Sequence, residues 1–160
     1  MIKSDSLGEY RPPIRYKDDA GVTLETVRSA ITEYAANLNI PVALSYDEVK
    51  SGGLFNPSTE NSLVMYHPQH QDEYFKFCIR VAQQGTWVYV FVDSYGQSKQ
   101  MKKANYAEGY RKDRKGKDMG YKVASLVGQG ITTIGRNKQK FEEEKMYYEC
   151  VSDLFEEIFS

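Results

Sequence analysis

Both histidines of the chain fall in one seven-residue run, His67-Pro68-Gln69-His70-Gln71-Asp72-Glu73, with two carboxylates at its end. Imidazole nitrogen and carboxylate oxygen are ordinary ligands for zinc, manganese or iron. His67, His70, Asp72 and Glu73 therefore make a candidate metal set, and with it a candidate hydrolase centre. Pro68 keeps the two histidines off adjacent turns of a regular helix, so a helical ligand pair is excluded. A polar turn between strands accounts for the same residues with no ligand, and that reading is preferred.

The second chemical signal is charge. Lys99, Lys102, Lys103, Arg111, Lys112, Arg114, Lys115, Lys117 and Lys122 crowd residues 99–122 against only Glu108, Asp113 and Asp118. Tyr106, Tyr110 and Tyr121 are interleaved among them. Cations hold phosphates and tyrosines stack on bases, so this segment is the candidate nucleic-acid surface. Against it stands the far end of the chain, where residues 141–160 carry seven acidic groups and one lysine. The basic segment is equally well explained by pairing with that acidic end, or by solvation of a helix face. Gly96, Ser98 and Lys99 follow a strand pattern and open a helix pattern, but the glycine-bounded turn of a phosphate cradle is absent. They read as a capped helix start.

Covalent catalysis leaves no trace in the spacing. There is no G-x-S-x-G elbow, and Cys78 and Cys150 lie among apolar neighbours rather than the basic ones that activate a thiol. The acidic pairs Asp18-Asp19, Asp47-Glu48 and Asp72-Glu73 suit loops and turns. No cofactor is implied, and a non-enzymatic role is expected.

Composition bounds what remains. The chain has 160 residues, 41% hydrophobic and 27% charged, with a formal charge of −1. That is too apolar for a disordered chain and excludes a uniformly basic one. The near-neutral total hides segregation: 8 basic and 12 acidic residues over 1–98, then 12 and 3 over 99–140, then 1 and 7 over 141–160. The longest apolar run, 87–92, is far too short to span a bilayer. Two cysteines make no disulfide framework, and no secretory leader is visible, so a cytoplasmic protein is expected.

These residues must be positioned by elements legible in the pattern. All five prolines fall in the first 68 residues, dividing a strand-and-loop half from a helical half. Residues 1–21, with Pro12-Pro13, read as an extended arm or a loose tail, and 22–160 as a single α+β domain. Thr23 caps a first helix, Val22 and Val27 staple its start, and Leu24, Val27, Ile31, Tyr34 and Leu38 form its stripe. Residues 42–45 suit a short strand, and a polar connection with Gly52-Gly53 and Asn56-Pro57 runs to Asn61.

Strands are expected over 62–66, 74–82 and 86–93, the last two joined by a turn at Gln83-Gln84-Gly85. Helices are expected over 97–110, 119–134 and 138–159, the last with Phe141, Tyr147, Val151, Leu154, Phe155 and Ile158 on one face. The expected fold is α+β: an N-terminal helix, an antiparallel sheet of three to four strands with a 74–93 hairpin, and two to three C-terminal helices packed on it.

With chemistry poorly signalled, surface carries the functional expectation. Thirteen tyrosines, a long loop and segregated charge suit a protein-interaction or adaptor module with a protein partner. The amphipathic last helix exceeds what a small sheet covers, which suggests a homodimer through that helix. Nucleic-acid binding through 99–122 and metal binding at His67 and His70 are the alternatives. No membrane partner is expected.

Overall fold

The computed structural model describes residues 1–96 and 135–160. Among these residues six strands form one sheet: β1 (Ile2–Lys3), β2 (Leu7–Lys17), β3 (Ala43–Ser51), β4 (Ser58–Tyr66), β5 (Lys76–Gln84) and β6 (Trp87–Tyr95). Two helices accompany them, α1 (Leu24–Asn37) and α2 (Gly135–Phe159), and short 3-10 turns follow β1 and β2. The strand order is β1-β3-β4-β5-β6-β2, antiparallel throughout except for the parallel pair β1–β3.

This corrects the expected sheet of three to four antiparallel strands, which is instead six-stranded and mixed. Two causes are local. Residues 2–17 supply both edge strands, and Pro12-Pro13 do not prevent it. An edge strand needs no N–H on its outer side, and β2 absorbs its misfit as register shifts between Glu9 and Arg11 and between Arg11 and Ile14. The polar stretch after residue 45 is a hairpin, with β3 and β4 paired from Ala43↔Tyr66 to Ser51↔Ser58. The expected two to three C-terminal helices are also corrected: among the described residues there is one, α2. The helices expected over 97–110 and 119–134 lie outside the described residues.

The sheet cannot be flat. Five inter-strand gaps of about 4.8 Å would set β1 and β2 about 24 Å apart. Yet Lys3 ends β1 and Leu7 begins β2, and four residue steps reach at most about 14 Å. The sheet therefore curls, and the 3-10 turn Ser4–Ser6 bridges its two edges. Inside the curl a small second core forms from Ile2, Val49, Val64 and Cys78, with Leu7, Tyr66 and Tyr95 against it.

The main core lies on the other face, where both helices pack. Phe77, Ile79, Leu63, Met65, Val90 and Val92 point from the strands toward Val27, Ile31 and Ala35 of α1 and Val151, Leu154 and Phe155 of α2. α1 starts as its sequence requires, with Thr23 and Thr26 exchanging side-chain and backbone hydrogen bonds in a capping box. Asn39 then turns the chain at φ 55°. In α2 the buried positions Glu144, Tyr147, Tyr148, Val151, Leu154, Phe155 and Phe159 recur at helical spacing. That stripe is spent inside the chain. No helix among the described residues is long and apolar enough to cross a membrane.

Candidate functional site

The four residues of the candidate metal set sit in the turn between β4 and β5, but they do not converge. His67 is buried, with its ring 4.6 Å from that of His70 and 4.7 Å from that of Tyr147. His67 Nδ1 accepts the Gln69 N–H at 3.1 Å, so one of its two nitrogens is already used by the turn. His70 stacks on Tyr74 at 4.5 Å, and its Nδ1 lies 3.8 Å from a Glu73 carboxylate oxygen. Asp72 is exposed. Among the described residues no three histidine, cysteine or acidic side chains are grouped to hold a metal ion.

What the turn builds is an aromatic box. Tyr74 and Tyr147 close on the histidines, Tyr148 packs behind them on Tyr74 and Phe75, and its Oη is held between two partners. It accepts the Phe75 N–H at 2.9 Å and donates to Glu144 Oε1 at 2.6 Å. Tyr147 Oη donates to the Pro41 carbonyl at 3.2 Å, tying α2 to the chain just beyond α1. These hydroxyls stay protonated at neutral pH. Burial, then the charges of Glu144, Glu143 and Glu73, pushes Tyr74 up to about 12. Burial raises Tyr147, and burial followed by the Glu144 charge raises Tyr148 further. Burial likewise pushes the Cys78 thiol up to about 11, which leaves it a poor nucleophile. The box packs; none of these groups is poised to transfer a proton or attack a carbon.

The box does make stability depend on pH. Burial, followed by the nearby charge of His70, holds His67 below its ordinary value of 6.5. The native state then binds fewer protons than the unfolded chain once pH falls below that value. Stability from His67 is fully present above 6.5 and drains away as pH falls toward the lower native pKa. Urea unfolding at about pH 7.5 and about pH 5.5 should show a loss on acidification of up to about 1.4 kcal/mol per pH unit from this group. His67→Phe should flatten that dependence; an unchanged slope would show that another group carries it.

The basic candidates Lys99, Lys102, Lys103, Tyr106, Tyr110, Arg111, Lys112, Arg114, Lys115 and Lys117 all lie outside the described residues. So does the question of their pairing with α2.

A feature that the pattern of chemistry-bearing residues did not single out is the far end of the β3–β4 hairpin. β4 pairs with β5 only from Leu63↔Ile79 to Met65↔Phe77, whereas its ladder with β3 runs its full length. Past the Lys3↔Lys50 pair with β1, the end of the hairpin projects as a two-stranded arm. Its tip is a tight, specified turn. Gly52 has φ 84°, and a Cβ there would stand 2.0 Å from the Asn56 carbonyl oxygen, so only glycine fits. The Asn56 N–H reaches the Gly53 carbonyl at 3.3 Å, and the Ser51 and Ser58 hydroxyls meet at 2.7 Å across its base.

On this turn Leu54 is 93% exposed and Phe55 99% exposed. Most large apolar side chains of the described residues are at least half-covered, and these two are held out in water. A signal for them did exist in the sequence: two large apolar residues framed by Gly52-Gly53 and Asn56-Pro57 in an otherwise polar stretch. No protein-family model, curated protein or solved structure matches this chain.

Proposed function

We propose that this chain is a non-enzymatic protein-interaction module that docks through the tip of the β3–β4 arm, with Leu54 and Phe55 entering an apolar pocket of a protein partner. The near-complete exposure of both side chains on a rigid turn carries the reading. Burying each is worth about 1.5–3 kcal/mol, enough to anchor a complex but not to set its affinity alone. The arm supplies the rest of the contact.

Charge is nearly spent along the hairpin: Asp47 pairs with the Met1 amine and Glu60 with Arg80, which leaves Glu48 beside Lys50. The apolar pair at the tip therefore selects the partner's pocket. The two free thiols, Cys78 and Cys150, fit a reducing cytoplasmic setting for that encounter.

The test is the double variant Leu54→Ser/Phe55→Ser. Both side chains are solvent-exposed, so its melting should match the parent within about 0.5 kcal/mol. Proteins retained by the immobilised parent from a lysate should fall at least about tenfold with the variant. Equal retention would overturn the reading. Binding to phosphatidylserine vesicles that the variant loses would replace the protein partner with a membrane.

A further inference from the structure

The two edges of the sheet are treated differently. β2 is guarded by Pro12, Pro13, two register shifts and the exposed cations Arg15 and Lys17, devices that discourage pairing with another chain. β3 is not. β1 covers it only opposite Val49 and Lys50, and over residues 43–47 no described strand pairs with its outer side. Those five residues, Ala43, Leu44, Ser45, Tyr46 and Asp47, include no proline and no lysine.

Two hollows lie along the same edge, in the cleft between β3 and α1. One, of about 390 Å³, is lined by the apolar residues Ala35, Ile40, Val42 and Leu44 together with Arg28 and Thr32. The other, of about 480 Å³, is lined by Leu24, Glu25, Tyr46, Asp47, Glu48 and Asn61; the Asp47 carboxylate is taken by the Met1 amine at 3.4 Å and the Glu48 N–H at 2.7 Å, which leaves Glu25 and Glu48 as the acids of the hollow. The Arg28 guanidinium, 4.9 Å from the centroid of the half-exposed Tyr46 ring, separates them. Leu44 and Tyr46 mark the two hollows and are two residues apart on one strand. Side chains two apart on an added strand repeat at about the same 6.7 Å.

We infer that the free edge of β3 accepts an extended peptide segment of a partner protein as an added strand, with an apolar side chain in the first hollow and a lysine or arginine two residues away in the second. Main-chain hydrogen bonds to residues 43–47 give the affinity and the two hollows give the specificity, the division of labour of β-strand addition. The acidic lining of the second hollow selects a basic side chain, which also lies over Tyr46 as Arg28 does. A second copy offers no cation to the second hollow: antiparallel self-pairing about Ser45 sets Val42 and Ala43 of one chain opposite Glu48 and Asp47 of the other. This site is separate from the arm tip, so the Leu54→Ser/Phe55→Ser variant leaves it intact.

The probe is the blocked peptide TVLTRVT and its reversed sequence, titrated to roughly 1 mM into the isotope-labelled full chain and followed by amide chemical shifts. The expected result is saturable shifts over residues 43–47 and the facing part of α1 with one of the two directions. Replacing the peptide arginine by glutamate, or Glu48 by lysine in the protein, should weaken binding about tenfold. Methylating the backbone nitrogens of the bound peptide should abolish it, which a pocket reading side chains alone would not do. Absence of shifts with both directions overturns the inference, as do shifts confined elsewhere or equal binding of the methylated peptide. Concentration-dependent dimers that Ser45→Lys dissolves would assign the edge to a second copy instead.

Discussion

Phe155→Ala is expected to lower the unfolding free energy by about 3–5 kcal/mol, a large part of the 5–15 kcal/mol typical of a domain. Phe155 is 1% exposed, and its ring meets Tyr10 at 5.9 Å, Phe77 at 5.4 Å and Phe159 at 6.0 Å. Those contacts join edge strand β2, central strand β5 and helix α2 through one side chain. Removing it loses the transfer energy of the ring and leaves a void that three separate elements cannot close together. Urea unfolding gives the result directly: the midpoint should fall with little change in slope. Met146→Ala, on the same helix but 56% exposed, should stay within about 0.5 kcal/mol of the parent. If the two substitutions cost the same, α2 does not seat its stripe on the sheet.

That stripe shows what sequence pattern can and cannot reveal. α2 was legible because Tyr147, Val151, Leu154, Phe155 and Ile158 repeat at helical spacing whatever they pack against. α1 was legible for the same reason, with Thr23 adding a local start signal. The β5–β6 hairpin was legible because Phe77, Ile79 and Val81 alternate with wetter residues around Gly85. Periodicity fails where an element has no continuous core face. The outer β3–β4 arm projects beyond β5, so Lys50, Ser58 and Thr59 are solvated and no apolar alternation marks the strands. β2 hid behind Pro12-Pro13, whose cost disappears at a sheet edge.

Pairing order was beyond local pattern altogether. Nothing near Ile2 says that it lies beside Val49, or that Leu7 lies beside Tyr95 at the opposite edge. The size of the sheet follows from those pairings, and it changes the functional reading. A sheet of three or four strands would leave the α2 stripe partly uncovered and suggest a dimer through it. Six strands cover it, and among the described residues the surface left without a partner moves to the arm tip and the β3 edge. The histidine run had the right residue types for a metal, but types do not fix direction. Pro68 and the Gln69 N–H turn His67 into the aromatic box rather than toward Asp72.

The second large effect is expected on the curled face, at Arg80. Its guanidinium lies 2.8 Å from Asp93 Oδ2 and 3.3 Å from Glu60 Oε2, and Asp93 is only 8% exposed. Burial alone would lower the pKa of Arg80, but its hydrogen bond to Asp93 and the charges of Asp93 and Glu60 outweigh that and raise it. The cation also lies 4.9 Å from the Phe91 ring centroid. Arg80→Met keeps much of the stem's packing and removes the charge, leaving the Asp93 carboxylate covered and uncompensated. The expected cost is about 2–4 kcal/mol, mostly the penalty of that stranded charge rather than the worth of the bond itself. Adding Asp93→Asn should therefore recover part of the loss, with a coupling energy above about 1 kcal/mol in the double-mutant cycle. Strict additivity would mean that water reaches Asp93 freely, and that the curl bridged by Ser4–Ser6 does not shelter it.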